Sequence, residues 1–209
     1  MSATATAQNV SLAGKKVRPN QHVCAFFSSK EEEYRVLMPF IKEGFERGER
    51  AFHVVDPGHR EVHLTRLGES GIKVDEAERR GQLEVRRWEE AYLRDGHFDQ
   101  HRMIELIQSV LREGKEKGFP LTRLVANMEW ALEDRPGVND IVEYESRLNY
   151  VLPKYDDVVV CTYDLAKFDA TVVMDIMRTH PMVIVGGILQ ENPFYAPPDE
   201  LIRELRERQ

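Results

Sequence analysis

Apolar residues recur along this chain in two rhythms. Short, nearly continuous runs occupy His22–Phe27, Arg50–Val55, Leu121–Met128, Asp157–Tyr163 and Met182–Leu189. Runs of that length and apolarity read as strands covered on both faces, as in a parallel sheet. Gln82–Arg87 alternates instead, with Leu83 and Val85 on one side. Between these runs the spacing changes to three and four residues. Leu37, Phe40, Ile41 and Phe45 form one such stripe, Met103, Ile104, Ile107, Val110 and Leu111 a second, and Ile141, Tyr144, Leu148 and Val151 a third. These predict amphipathic helices after Ser29, over Phe98–Lys117 and over Asn139–Leu152. Further helices are expected at His59–Ser70, Asp75–Gly81, Lys167–Thr179 and Pro198–Gln209. Ser29 with Glu32 three residues on is a capping box, and Gly48 closes that first helix. The alternation predicts an α/β fold: about six mostly parallel strands with helices on both faces. Residues 1–20, rich in Ala, Ser and Thr, read as a disordered tail, and residues 21–209 as one folded domain including the C-terminal helix.

In open α/β sheets ligands bind in the crevice beyond the carboxyl ends of the strands. The run Leu121–Met128 ends on Glu129-Trp130, an acid beside a large aromatic. The competing reading is that Trp130 packs under a loop and Glu129 caps a nearby amide; by residue type alone that reading is favoured.

Composition narrows the classes. The chain has 209 residues, 42% hydrophobic and 31% charged, enough for one α/β domain with a substantial core. No apolar run reaches bilayer length, and the N-terminus lacks a secretory apolar segment. The net charge of −7 without a basic stripe argues against direct nucleic-acid binding. Two cysteines, Cys24 and Cys161, make no disulfide framework, so a cytoplasmic setting is expected.

Several chemistries lose support at this point. The turn after the first run, Phe26-Phe27-Ser28-Ser29-Lys30-Glu31-Glu32-Glu33, has no glycine and three consecutive acids. It does not cradle a triphosphate, and no Gly-x-Gly-x-x-Gly stands in for it. No Gly-x-Ser-x-Gly elbow exists, and Cys161 with His180 makes a poor nucleophilic pair, because His180 precedes its strand. His22 and Cys24 share a strand face, with Cys161 and His53 on other strands; compact metal-ligand spacing is missing, so a buried-core role is expected for them. The pairs His59/His63 and His97/His101 lie in charged stretches. Among the many acids, only Glu129 lies at a strand's functional end; most others read as solvated helix faces, and Glu143 and Glu145, two apart, cannot share one helix side.

Seven stretches in order nonetheless carry a resemblance: His22-Val-Cys-Ala-Phe-Phe27, Tyr92-Leu-Arg-Asp-Gly-His-Phe-Asp99, Asn127-Met-Glu-Trp-Ala-Leu132, Tyr144-Glu-Ser-Arg-Leu-Asn149, Cys161-Thr-Tyr-Asp164, Thr179-His-Pro181 and Asn192-Pro-Phe-Tyr195. Together they resemble the MEDS domain, the sensory domain of methanogen and methylotroph regulators, over about Gln21–Tyr195. The resemblance implies a three-layer RecA/KaiC-like sandwich that has lost its nucleotide-binding loop. Leu121–Met128 would then take the place of the Walker B strand, with Glu129 near the ancestral metal-facing acid. It further implies a non-enzymatic, stand-alone cytoplasmic module that binds a small organic ligand without a cofactor and relays it to a regulator or kinase partner, or by self-association. The implied ligand site joins Phe26, Phe27, Ser28, Glu129, Trp130, Tyr163 and Asp164, with Trp88 and Asn192 behind them. Two alternatives stay open: a metal or redox sensor using His22, Cys24 and Cys161, and a degenerate nucleotide-binding ATPase-like protein.

Overall fold

A computed structural model describes residues 9–208. A seven-stranded sheet organises them. In chain order its strands are β3 (Gln21–Phe27), β4 (Arg50–Val55), β5 (Leu83–Arg87), β6 (Thr122–Asn127), β7 (Val158–Asp164), β8 (Met182–Val185) and β9 (Ile188–Glu191), preceded by a separate hairpin of β1 (Val10–Leu12) and β2 (Lys15–Val17). The spatial order is β5-β4-β6-β7-β3-β8-β9. All neighbours run parallel except β8 and β9. Seven α-helices lie among the described residues: α1 (Lys30–Glu46), α2 (Arg60–Glu69), α3 (Val74–Arg79), α4 (Gln100–Glu116), α5 (Ile141–Leu148), α6 (Ala170–Met177) and α7 (Pro198–Glu207).

The period-two geometry of the strands divides the core. Cys24, Phe26, Val159, Cys161 and Tyr163 face α4, α5 and α6, where Met103, Ile107, Leu111, Tyr144, Leu148 and Ile176 meet them. Val23, Ala25, Phe27, Val158 and Val160 face the other way, onto Leu37, Phe40 and Ile41 of α1, Leu67 of α2 and Ala77 of α3. These are the three layers expected from the sequence.

Two readings of the pattern need correction. Residues 1–8 of the expected tail lie outside the described residues, but Val10 and Leu12 are fully buried on the α1 side. Ser11 donates its amide (3.0 Å) and hydroxyl (2.8 Å) to the Glu43 carboxylate of α1. Two alternating apolar residues suffice to dock this hairpin, a signal too short to stand out beside Ala and Thr. The run Met182–Leu189, read as one strand, is a hairpin. Gly186 and Gly187 both take positive φ (58° and 74°), the backbone a tight hairpin turn requires. The chain therefore reverses, adding β9 as the seventh strand.

The amino-terminal end of the sheet is stitched by two buried arginines. Arg123 of β6 donates to Glu49 (2.5 Å), to Glu43 (2.8 Å) and to the Phe40 carbonyl, its guanidinium lying over the Phe40 ring. Arg50 of β4 reaches Glu84 (2.6 Å), Glu113 (3.4 Å) and the Val110 carbonyl (2.9 Å). Gly44 of α1 makes room for Arg123: a Cβ there would sit 2.8 Å from its Cδ.

Candidate functional site

At the carboxyl-terminal rim, β6 runs into a single 3-10 turn, Glu129–Leu132. With three residues per turn, neighbouring side chains diverge by about 120°. Glu129 and Trp130 therefore part company. Trp130 is wholly buried, stacked on Tyr92 (4.6 Å between centroids, 11° between planes) and against Phe98 (4.3 Å). Glu129, also buried, accepts from Asn127 Nδ2 (3.1 Å), pairs with Lys30 Nζ (3.0 Å) and bonds to Lys167 Nζ. Burial opposes its ionisation, but the Lys167 hydrogen bond, the Lys30 charge and Asn127 outweigh it and hold its carboxyl at about 2.

The expected site residues thus separate. Glu129 and Trp88 border one open groove of about 610 Å³ together with Leu93, Leu132, Arg135 and Lys167. The other rings do not. Phe26 and Phe27 lie on opposite faces of β3, as consecutive strand residues must, each in a filled core. Tyr163 is buried beside Phe26 and donates to Glu145 (2.9 Å). Ser28 is exposed, and its amide donates to Glu32 (2.8 Å). Asp164 accepts the Ala166 amide (2.9 Å), shaping the loop that carries Lys167. Asn192 follows the reversed strand β9, so it lies at the opposite end of the sheet, tied to the Met177 (2.5 Å) and His180 (2.7 Å) carbonyls. A single pocket walled by all nine residues is not what the chain builds.

The turn between β3 and α1 is closed by its own side chains. Ser29 Oγ accepts the Glu32 amide (3.2 Å), Lys30 pairs with Glu33 (2.9 Å), and Thr162 donates to Glu33 (3.2 Å). The Ser28 and Glu32 amides and the one lysine of this turn are already engaged.

A second, more enclosed recess of about 130 Å³ lies beside this network, bordered by Val54, Val55, Val62 and Val125, by the charged Lys30, Glu31, Glu33, Asp56 and Arg66, and by a hydrogen-bonded chain of rings. In that chain Tyr34 Oη meets His63 Nδ1 (3.1 Å), and His63 Nε2 meets His53 Nδ1 (2.8 Å). Burial and the Lys30 charge push His63 down to about 4; burial and His63 push His53 down as well. Both rings are neutral near pH 7. His53 Nε2, fully buried, has no hydrogen-bond partner. His63 was readable as one half of a His-x-x-x-His pair, yet that spacing placed it with exposed charges; its true neighbour comes from β4.

A third constellation was expected only in half, through the His22 and Cys161 of the alternative metal or redox site. Glu145 of α5 is completely buried against His22, Cys161 and His180, themselves all buried. Glu145 Oε2 lies 3.2 Å from His22 Nε2, 3.4 Å from His180 Nε2 and 3.7 Å from Cys161 Sγ. Burial alone would raise the Glu145 carboxyl; protons or positive charge on the two imidazole Nε2 atoms facing it would lower it instead, to about 2. Read from the chain alone, this acid has no role beyond a helix side different from that of Glu143. The signal was present: Ile141, Tyr144, Glu145 and Leu148 follow helical spacing, which puts Glu145 inside the apolar stripe. Cys24, expected beside His22 and Cys161, stands outside the group with its thiol 3.7 Å from the Met182 carbonyl. Burial and the Glu145 charge raise both thiols, so neither is a ready thiolate.

The parallel sheet between two helical layers, with a glycine-free turn where a phosphate loop would stand, is the architecture of a RecA/KaiC-like α/β protein. Two solved structures have that fold. The KaiC-like protein PH0186 from Pyrococcus horikoshii OT3 superposes with a TM-score of 0.59 at 16% identity, over 79% of this chain and 71% of that one. The uncharacterised Pyrococcus horikoshii protein PH0321, determined with an unknown peptide, superposes with 0.62 at 13% identity, over 81% and 78%. The family follows from sequence: the model of the MEDS domain (MEthanogen/methylotroph, DcmR Sensory domain) matches residues 21–181, and the chain belongs to that family. The transcriptional repressor DcmR of Methylorubrum extorquens is 25% identical over 176 residues, 83% of this chain. The chain spans 63% of that repressor's length. A sensory or regulatory role follows at that level. No helix among the described residues is long and apolar enough to cross a membrane.

Proposed function

We propose that the protein is a cytoplasmic, non-enzymatic sensor that takes a small, largely apolar organic molecule into the recess beyond β4 and β6, between α1 and α2. The observation carrying this reading is the recess itself: four valines inside a charged border, a volume of about 130 Å³, and one unpartnered buried nitrogen on His53. An apolar cavity of about 150 Å³ is known to hold benzene, so a guest of a few heavy atoms fits. Apolar walls with few polar anchors are the usual make-up of such sites. Occupancy is felt by α2, which supplies Val62 and His63, and by Lys30 at the start of α1. Movement there passes to a regulator or kinase partner, or to a second copy of the chain. Against nucleotide hydrolysis stand the acids Glu31–Glu33, the self-capped turn and the engaged Lys30 and Lys167.

Titration with haloalkanes, short alcohols and aldehydes of one to six carbons, followed by melting temperature, tests the reading. A guest of the folded state raises the melting temperature by mass action. Val62→Trp closes the mouth of the recess from a half-exposed position, so it leaves the fold intact and abolishes that rise. A compound whose effect survives Val62→Trp does not occupy the recess, and a series with no effect on the wild type refutes the proposal.

A further inference from the structure

Glu145 Oε2 faces two imidazoles whose protonation is fixed by what lies behind them. Asn149 Nδ2 donates to the carbonyls of Thr179 (2.7 Å), Ser146 (3.2 Å) and Glu145 (3.3 Å), so its Oδ1 must be the atom 3.0 Å from His22 Nδ1. His22 Nδ1 therefore carries hydrogen. His180 Nδ1 lies 2.7 Å from Thr179 Oγ1 and 3.2 Å from the Ile176 carbonyl. Thr179 Oγ1 itself donates to that carbonyl (2.7 Å), so His180 Nδ1 is the donor to both. With its one proton on Nδ1, each ring would turn an Nε2 lone pair toward the same carboxylate oxygen. The opposed lone pairs need a cation between them. His180 Nε2 has no hydrogen-bond partner at all, in a side chain with no exposed surface.

We propose that His22, Glu145, Cys161 and His180 bind one divalent ion of the zinc class in a closed, four-donor site beneath α5. The site is independent of the recess at the rim. Four donors about 2.0–2.3 Å from one tetrahedral ion stand about 3.3–3.8 Å from one another. The observed separations are 3.2, 3.4, 3.7 and, from Cys161 Sγ to His22 Nε2, 3.9 Å, and none of the set exceeds 4.8 Å. Charge agrees: a carboxylate and a thiolate together neutralise a dication, with both imidazoles neutral. The surroundings agree as well. Metal-bound histidines donate their far nitrogen to a fixed acceptor, as both do here, and the ligating carboxylate is itself hydrogen-bonded. Tyr163 fills that last role at Oε1 (2.9 Å), leaving Oε2 for the ion. One sulfur, two nitrogens and one oxygen suit Zn²⁺, with Co²⁺ as its spectroscopic substitute. A single extra proton would satisfy only one of the two imidazoles.

Because all four side chains are buried, the ion is expected to enter during folding. The test unfolds the whole chain with chelator, then refolds it with one equivalent of Co²⁺. The expected product shows tetrahedral cobalt bands and a thiolate-to-cobalt absorption, both displaced by one equivalent of Zn²⁺. Cys24→Ser keeps the thiolate band, Cys161→Ser loses it, and His180→Gln weakens Co²⁺ binding more than about 100-fold, beyond the loss typical of supporting residues. Should Cys161→Ser fail to refold, X-ray absorption of the zinc-loaded wild type decides instead: one sulfur among four donors supports the site. A refolded wild type without a thiolate band, a band carried by Cys24, or zinc bound only by nitrogen and oxygen overturns it.

Discussion

Two buried polar clusters sit on the amino-terminal half of the same sheet and are built on opposite terms. Around Arg123 the acids Glu49 and Glu43 meet a permanent cation, a backbone carbonyl and an aromatic ring. Nothing further is required there, and the cluster fastens β6 to α1. Around Glu145 the only acid faces two imidazoles and a thiol, all of whose protonation is variable. Arginine cannot give up its charge or leave; a proton or metal ion can do both. The difference teaches that burial of charge is not itself a sign of function. What separates a fastening from a site is whether the compensating cation is part of the chain.

The comparison predicts first that Arg123→Met is the most damaging single change considered. It strands Glu49 beneath α1 with only Arg47 at its edge, and breaking a buried pair on one side costs about 3–5 kcal/mol. Chemical denaturation should show the loss as a lower midpoint with an unchanged slope. An effect near zero would mean that the arginine cluster is no more a fixture than the histidine one.

The recess supplies a third arrangement, buried imidazoles bonded to each other and to Tyr34 rather than to an acid. His63 is held at about 4 against an ordinary value near 6.5. A histidine depressed in the folded state contributes its stability in full above pH 6.5, where neither state binds the proton. That contribution is lost as pH falls from 6.5 toward 4, where the unfolded chain protonates first; its ceiling is roughly 3 kcal/mol. Melting followed from pH 7 to pH 4 should decline over that window, and His63→Gln should flatten the decline.

Glu145→Gln sharpens the contrast directly. In zinc-free protein the amide can donate to an imidazole lone pair while keeping the Tyr163 bond, so a loss of about 1–2 kcal/mol is expected. Stabilisation by added zinc during refolding should disappear with it. A loss as large as that of Arg123→Met would place the two clusters in one class.

The sheet and most helices were legible because apolar period is set by burial, and burial is what each element requires. Strand Arg50–Val55 and the helix after Ser29 emerged as expected. The hairpin Val10–Val17 escaped because two apolar residues carry it, and β9 because a Gly-Gly turn inside an apolar run looks continuous. Candidate sites were harder. Glu129 was placed correctly at the rim, since strand order and the end of an apolar run fix that position. Trp130 was not, since the direction of a side chain after a strand depends on the tightness of the next turn. Glu145, His22 and His180 come from α5, β3 and the loop before β8 and meet only in three dimensions. The sequence offered His22 and Cys161 as one alternative, and beyond that its spacing shows only an acid lying in an apolar stripe.

Between the two clusters, in the strand order β6-β7-β3, lies an acid with neither solution. Asp157, at the amino end of β7, accepts the Thr122 amide (2.6 Å) and has no cation in contact. Burial raises it to about 6, with the neighbouring Asp156 charge adding to the rise against the Thr122 bond. An acid raised in the folded state favours folding most below its unfolded value near 3.9, and that advantage is lost as pH climbs through 6. At neutral pH Asp157 is therefore a net cost that the Thr122 bond and the Lys115 charge relieve only in part, about 1 kcal/mol once its partial exposure is allowed for. Asp157→Asn retains an acceptor for Thr122 without the charge. It should raise the melting temperature at pH 7.5 and leave it nearly unchanged at pH 4. A uniform shift at both values would mean that the hydrogen bond, not the uncompensated charge, governs this position, and that an acid between the clusters can rest on backbone alone.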